Sequence, residues 1–109
     1  MQFNLAILSL LASSLPATIA QRTEDNAFTI KTFPNQIGCG WGISGHTDSF
    51  PDAECFHLPR DFMDVKKVTE TCRVFIYNKE GCSGYEQQVY PGEDCIDIRS
   101  YNSIKAFCH

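Results

Sequence analysis

The sequence predicts a small all-β fold that is stabilised by disulfide bonds. Short β-favouring runs alternate with Gly and Pro turn signals in the C-terminal part of the chain. A similar pattern occurs upstream at a spacing of about 40 residues, which indicates an internal duplication. An N-terminal apolar segment typical of secretion precedes all six cysteines, so these cysteines are expected to form a bridged framework.

The clearest pattern lies between Cys72 and Cys108. Val74–Tyr77 is an apolar, β-favouring run, and residues 78–84 supply the turn residues Asn, Gly and Ser. Pro91-Gly92 marks a second turn. Strands are expected at residues 74–77, 85–90, 95–98 and 103–107. Because so small a unit buries little core by itself, a second copy is expected.

Three pairs of segments carry the duplication. The first pair shares an aromatic residue, a Cys and a Gly, and the second shares an aromatic residue, a Pro, an acid and a Cys. The paired ranges are 33–40 with 77–84, 49–55 with 89–95, and 65–66 with 104–105, at an offset that falls from about 44 to about 39 residues. Two copies are too few for a propeller or a helical array, and the Gly and Pro content disfavours helices.

Three further stretches complete the organisation of the chain. Residues 27–32 alternate as a strand, with Phe28 and Ile30 on one face. Residues 42–49 are rich in Gly, Ser and Thr and are predicted to form a loop. Pro59–Lys67 is the least β-like stretch and is predicted to hold one helical turn.

The second copy resembles the Greek-key motif of the βγ-crystallin family. The resemblance rests on Tyr77-x4-Cys82-x-Gly84 followed by Ser103-Ile104-Lys105, with Cys82 where the family has a second aromatic residue. Cysteine-bearing versions are similar to small secreted fungal proteins and microbial killer toxins. The first copy matches less well, with Asp64-Val65-Lys66 in place of the Ser-Ile-Lys step. The resemblance implies a βγ-crystallin-like sandwich of two packed Greek-key motifs, with repeats at about 27–70 and about 71–109.

Residues 1–20 are predicted to be a secretory signal peptide. Leu5–Leu15 is an apolar stretch, Pro16 interrupts it, and small residues lead to Ala20. The apolar stretch is shorter than the ~20 residues that a membrane-spanning helix needs. The mature chain is therefore expected to form a single extracellular domain over residues 21–109.

The six cysteines allow fifteen pairings, among which the sequence alone does not choose. The duplication suggests equivalent bridges within each repeat, Cys39–Cys55 and Cys82–Cys95. Cys72–Cys108 would then join the first and last strands of the second repeat. Disulfides of this kind commonly stabilise chains whose core is too small to be stable alone.

The protein is predicted to be no enzyme and to use no cofactor, because motifs of catalytic chemistry are missing. Gly40-Trp-Gly42-Ile-Ser-Gly45 has the spacing of a dinucleotide fingerprint, but the following His46–Pro51 cannot begin the required helix, so a loop with positive φ is expected. Ser44, His46 and Asp48 are close in sequence, whereas a catalytic triad is defined by geometry. The three histidines lack metal-ligand spacing.

Many βγ-crystallin motifs bind calcium, yet this chain is predicted to have no tight metal site. The positions that resemble the family's ligands hold Ile98 and Arg99 in repeat two, and Pro59, Arg60 and Asp61 in repeat one. Ile has no ligating oxygen, and Arg repels a cation. A formal net charge of −4 without a polybasic run also disfavours binding to nucleic acid or to an anionic membrane.

The leading interpretation is a secreted, cysteine-rich, non-enzymatic protein of fungal type that acts on another organism as a host-directed effector or virulence factor. One alternative is a killer-toxin-like antimicrobial protein acting on a competitor's cell wall or membrane, and another is a structural, wall-associated protein. The partner would be a host protein or a cell-surface component, and the oligomeric state stays open. Loops 40–48 and 56–64 differ most between the repeats, so the predicted contact residues are Trp41, His46, His57 and Arg60.

Overall fold

The computed structural model describes residues 26–59 and 61–109. These residues form β1 (Phe28–Phe33), α1 (Gln36–Trp41), β2 (His46–Phe50), β3 (Cys55–His57), β4 (Phe62–Val68), β5 (Cys72–Lys79), β6 (Ser83–Val89), β7 (Ile96–Asp97) and β8 (Ser103–Cys108). The predicted signal peptide, residues 1–20, and the predicted contact residue Arg60 lie outside the described residues. In the part of the chain that is described, no helix is long and apolar enough to cross a bilayer.

The strands form two four-stranded antiparallel sheets, which confirms the prediction of a disulfide-stabilised all-β sandwich. The first sheet has the order β2-β1-β4-β7, and the second has the order β3-β8-β5-β6. Each half of the chain therefore contributes its first, second and fourth strands to one sheet and its third strand to the other sheet. In each half the fourth strand pairs with the first, as in a Greek key.

The two halves share one pattern of buried residues in their first strands. Four residues in the same relative positions are buried, namely Phe28, Ile30, Thr32 and Phe33 in β1, and Cys72, Val74, Ile76 and Tyr77 in β5. A common burial pattern in strands that occupy equivalent places is what a duplicated unit requires, because both strands face the same core on one side.

The strand register corrects one part of the predicted duplication. Phe33 pairs with Phe62 in the first sheet, and Tyr77 pairs with Ser103 in the second. Ser103 therefore corresponds to Phe62, and Ile104 corresponds to Met63 rather than to Val65. A register shift between Thr29 and Ile30 lies in the first sheet only, so sequence spacing alone does not give the correct alignment.

The main core lies between the two sheets. Both sheets contribute fully buried apolar side chains to it, among them Phe28, Ile30, Met63, Val65, Val74, Ile76 and Ile104. A second, smaller cluster contains Phe33, Cys39 and Phe62, with Cys95 packed against it. Because Cys39 belongs to α1, the helix covers this cluster from outside the first sheet.

Two local predictions are wrong and one helix was missed, although the predicted strands are confirmed with shifted ends. Residues 46–50 form the edge strand β2 rather than a loop, because their polar composition lacks the alternation of a half-buried strand. Pro59–Lys67 holds most of β4 rather than a helical turn. Residues 62–65 are all buried, because α1 covers the face that would otherwise be solvated, and this masks the period of two. Residues 36–41 form α1, a helix that was not predicted from the sequence.

The structure contains Cys39–Cys95, Cys55–Cys82 and Cys72–Cys108. The predicted pairs Cys39–Cys55 and Cys82–Cys95 are wrong, and the third predicted pair is confirmed. The physical reason is the exchange of third strands: Cys55 begins β3 in the second sheet, and Cys95 precedes β7 in the first. Cys39–Cys95 and Cys55–Cys82 are nevertheless equivalent. Each bridge joins the connection that follows the first strand of one unit to the region of the third strand of the other unit.

Candidate functional site

Segment 34–45 connects β1 to β2 and is held as a capped helix and turn. Asn35 is the N-cap of α1, and its Oδ1 accepts a hydrogen bond from Gly38 N at 2.6 Å. Gly42 ends the helix in the left-handed region at φ 71°, where a glycine carries no Cβ penalty, and its N–H is donated to Cys39 O at 3.2 Å. These contacts satisfy backbone groups that a helix of six residues otherwise leaves open.

Segment 34–45 is anchored to the first sheet by covalent and apolar contacts. The Cys39–Cys95 bridge joins α1 to the chain before β7. Ile43 N donates to Gly38 O at 2.9 Å, and a Cβ on Gly38 would lie 2.9 Å from Ile43 O, so the turn packs directly on the helix. A Cβ on Gly45 would lie 2.6 Å from Cε2 of the buried Phe33 ring. The segment therefore has little freedom to refold away from the sheet.

Three large apolar side chains point from this anchored segment into solvent. Ile37 is 73% exposed, Trp41 is 79% exposed and Ile43 is 57% exposed. Ile37 and Trp41 are four residues apart on α1 and so share one helix face. The segment contains no charged residue. We call Ile37, Trp41 and Ile43 the Trp41 surface.

The predicted contact residues His46 and His57 lie at the same end of the sandwich as the Trp41 surface. His46 pairs with Thr32 next to segment 34–45. His57 ends β3, and the five residue steps from there to Phe62 span at most about 18 Å. Leu58 N donates to Asn102 O at 2.9 Å next to the second sheet, and Asp61 N donates to Phe33 O at 3.1 Å in the first sheet, so Leu58 and Asp61 each contact a sheet at this end. Both histidines are exposed.

The corresponding connection in the second half is a tight hairpin held by hydrogen bonds. The buried Ser103 hydroxyl donates to Lys79 O at 2.6 Å and accepts from Cys82 N at 3.0 Å. Tyr77 OH donates to Glu86 Oε2 at 2.8 Å. Burial, with this hydrogen bond and the nearby Glu86 charge, raises the pKa of Tyr77 to about 12. Polar contacts thus occupy the place that Phe33 and Phe62 fill in the first half.

A groove of about 320 Å³ lies between this hairpin and β3. It is lined by Cys55, His57, Glu80, Gly81 and Asn102, together with Phe56 and Ser103. The groove therefore combines an imidazole, a carboxylate and an amide with one cysteine of the Cys55–Cys82 bridge.

Four of the side chains considered for catalysis or metal binding, His46, Asp48, Ile98 and Arg99, are engaged in other contacts. His46 Nε2 is 3.2 Å from Asp48 Oδ2, with the two side chains 62% and 41% exposed, which is a surface ion-pair geometry. Ile98 is buried in the main core. The Arg99 guanidinium donates to Asp97 at 2.9 and 2.7 Å, and these bonds lower the pKa of Asp97 to about 2.

Cys39, Asp64 and Cys95 form a compact group of potential metal ligands, but both sulfurs are joined in a disulfide. Asp64 Oδ1 instead accepts from Cys95 N at 2.7 Å and lies 3.5 Å from Cys39 Sγ. Asp64 Oδ2 lies 3.8 Å from Lys66 Nζ. The carboxylate therefore fixes the backbone beside the bridge.

No protein-family model matches this chain, and no curated protein or solved structure is significantly similar to it. Sequence reasoning singled out Trp41 but missed its neighbours Ile37 and Ile43. The sequence feature that could have identified them is the uncharged stretch between Lys31 and His46, in which Ile37 and Ile43 stand among glycine and polar residues. That composition is unusual for a surface loop and indicates a contact region.

Proposed function

We propose that this chain is a secreted, βγ-crystallin-like, non-enzymatic protein that binds a component of another organism through the Trp41 surface. Two four-strand units in which the fourth strand pairs with the first support the Greek-key resemblance. Three disulfides support an extracellular location, because such bridges persist in oxidising compartments.

The observation that carries the proposal is the exposure of Ile37, Trp41 and Ile43 on a segment that is otherwise firmly anchored. Leaving these side chains in water forgoes about 1.5–3 kcal/mol of burial free energy for each one. Tryptophan is the residue type most enriched at the energetic centres of protein interfaces. A pre-organised apolar surface also reduces the entropy lost on binding.

The leading function is that of a host-directed effector whose Trp41 surface fits a pocket on a host protein. His46 and His57 at the same end of the sandwich would supply polar contacts around an apolar centre, which is the usual anatomy of a protein interface.

The second candidate function is a killer-toxin-like protein that acts on a competitor's wall or membrane. The lack of charge in segment 34–45 favours this candidate, and several of its backbone N–H groups are paired within the segment, which lowers the cost of placing an apolar tip in a lipid interface. The net charge of −4 directs such contact to uncharged rather than anionic lipid.

The test applies one concentration series of the oxidised protein to leaf tissue and to a panel of yeast and fungal cells, with cell death and growth as readouts. A response confined to leaf tissue is expected. Growth arrest confined to microbes would replace the leading function by the second candidate. A protein that is silent in both assays and abundant in the producer's own wall would contradict both and leave the structural role.

A further inference from the structure

We infer that Cys55–Cys82 is a thiol–disulfide exchange site, opened by a thiol-bearing molecule while the other two bridges stay closed. The inference does not depend on the function proposed above. It rests on the access to each bridge, on the groove beside Cys55 and on the charges at two equivalent bridges.

The exposure of the cysteine residues differs among the three bridges. Cys55 is exposed on the edge strand β3, and Cys82 is half-buried in the hairpin between β5 and β6. Each of the other bridges contains a buried cysteine, Cys39 at 5% exposure and Cys72 at 8%. Because an attacking thiolate must reach a sulfur in line with the S–S bond, exposure limits the rate of exchange.

The groove of about 320 Å³ provides a place for the attacking molecule. A volume of this size lies within the range of small-molecule sites. His57, Glu80 and Asn102 border it and offer hydrogen-bonding groups to a peptide-like thiol such as a tripeptide or an exposed cysteine of a partner. The groove thus places a thiol donor next to the exposed residue Cys55.

The charged side chains beside the two equivalent bridges differ in arrangement: Asp64, with Lys66 next to it, lies at Cys39–Cys95, whereas Lys105 pairs directly with Cys55 and Glu80 lines the adjacent groove. At Cys39–Cys95, the carboxylate of Asp64 is 3.5 Å from Cys39 Sγ, and the Asp64 side chain is only 10% exposed. A thiolate formed there would meet a nearby negative charge in a poorly solvated place. The strand register shows that Lys105 in the second sheet occupies the position that Asp64 occupies in the first sheet. Lys105 pairs directly with Cys55.

Directly opposed residues on antiparallel strands point to the same face, so Lys105 and Cys55 are neighbours on the outer face of the second sheet. Lys105 Nζ lies 5.1 Å from the centre of the Phe107 ring and is held on that face. A cation near Cys55 attracts the incoming thiolate and stabilises the thiolate that leaves.

The thiolate of the attacking molecule bonds to Cys55 Sγ, the Cys55–Cys82 bond breaks, and its electron pair leaves on Cys82 Sγ, which then takes a proton from water. When the reagent is a dithiol, its second thiolate attacks the mixed disulfide and releases Cys55. The dithiol is then oxidised by two electrons and the bridge is reduced. Opening frees the hairpin from β3 and widens the groove, while Cys39–Cys95 keeps the Trp41 surface in place.

The test uses the oxidised protein under native conditions with glutathione or dithiothreitol, quenched at intervals by alkylation and analysed by peptide mass mapping. With dithiothreitol, Cys55 and Cys82 should become alkylated at least about tenfold faster than the other four cysteines, and with glutathione Cys55 should carry the mixed disulfide while Cys82 is alkylated, since access and local charge both favour this bridge. Earlier opening of Cys39–Cys95 or Cys72–Cys108, or opening of all three bridges at one rate, would overturn the inference.

Two variants test the contribution of charge, with Lys67→Gln as the matched control on the other sheet. Lys105→Gln should slow the opening of Cys55–Cys82 by about threefold, because an exposed charge acts through solvent. Asp64→Asn keeps an acceptor for Cys95 N and should speed the opening of Cys39–Cys95 by about threefold or more. Unchanged rates in both variants, with melting temperatures showing that both are folded, would refute the charge argument. The wild-type rates decide the inference even if a variant fails to fold.

Discussion

The connection between the first and second strands is anchored to its sheet differently in the two units. In the first unit, segment 34–45 carries α1 and rests on Phe33, Phe62 and a disulfide. In the second unit, a short hairpin rests on hydrogen bonds from Ser103 and Tyr77. The apolar anchor supports a longer segment that exposes the Trp41 surface, whereas the polar anchor supports a hairpin that borders a polar groove.

The parts of the fold that differ between the two units are the parts that can carry a functional surface. The strands and the main core are shared, so they serve stability in both units. The variable connection is free to carry a contact surface because its own small cluster and bridge hold it in place. Binding residues are commonly found on loops that a rigid scaffold positions.

The largest effect should come from removing the apolar anchor. Phe62→Ala deletes a ring that is 6% exposed in the small cluster and should lower the free energy of unfolding by about 3–5 kcal/mol. Urea unfolding of the oxidised protein measures it. Phe107→Ala is the control, since this ring is 45% exposed and should cost well under half as much. Equal losses would show that the cluster under α1 is not a core.

Removal of the polar anchor should have a smaller effect. Ser103→Ala deletes the donor to Lys79 O and leaves Cys82 N without its acceptor, so the free energy of unfolding should fall by about 2–3 kcal/mol. Ser49→Ala is a matched control, because its bond to Thr29 is exposed and should contribute under about 1 kcal/mol. Protection of the Cys82 amide from hydrogen exchange should be lost only in Ser103→Ala.

The buried phenol of Tyr77 predicts alkaline destabilisation. Its pKa is raised from 10.0 to about 12, so the folded state favours the neutral form. This stability is fully present below pH 10 and is lost as the pH rises through 12, by about 3 kcal/mol in all, of which about 2 kcal/mol is lost by pH 11.5. Unfolding free energies measured at pH 9 and pH 11.5 should show the decrease. Tyr77→Phe should remove this component, and an equal decrease in the variant would contradict the assignment.

Two glycines at the end of α1 should respond with opposite signs. Gly42→Ala places a side chain at φ 71° and should destabilise by about 1 kcal/mol. Gly40→Ala lies inside the helix with open space around a Cβ and should stabilise by about 0.5–1 kcal/mol. Melting temperatures of the pair report the difference. A shift of the same sign in both variants would show that the helix cap is not formed in solution.

The sequence was sufficient to predict the all-β sandwich, because β-favouring runs such as Val74–Tyr77 are bounded by clear turn residues. It failed for β4, where coverage of both faces removes the alternation of Phe62–Val65. It also failed for two disulfides, since third-strand exchange is a tertiary event without a local signal.

The candidate site was predicted in part for a related reason. Trp41, His46 and His57 are found at one end of the sandwich. The exposure of the neighbours of Trp41 depends on the formation of α1. This helix is hard to predict because Gly38, Cys39 and Gly40 have low helix propensity. A cap, a disulfide and a tertiary contact stabilise this helix instead. These interactions are visible only in the folded chain.

We propose that the activity of the protein depends on a contact made by the Trp41 surface. The direct measurement compares Trp41→Ala with Tyr85→Ala, an aromatic truncation at a site of similar exposure, 79% against 63%, on the other sheet. Both variants should keep the wild-type free energy of unfolding within about 0.5 kcal/mol, because both side chains are solvated. In the leaf and microbial assays, Trp41→Ala should lose at least about tenfold in potency, the equivalent of 1.4 kcal/mol, and Tyr85→Ala should match the wild type. Full potency in Trp41→Ala, or a loss confined to Tyr85→Ala, would contradict the claim.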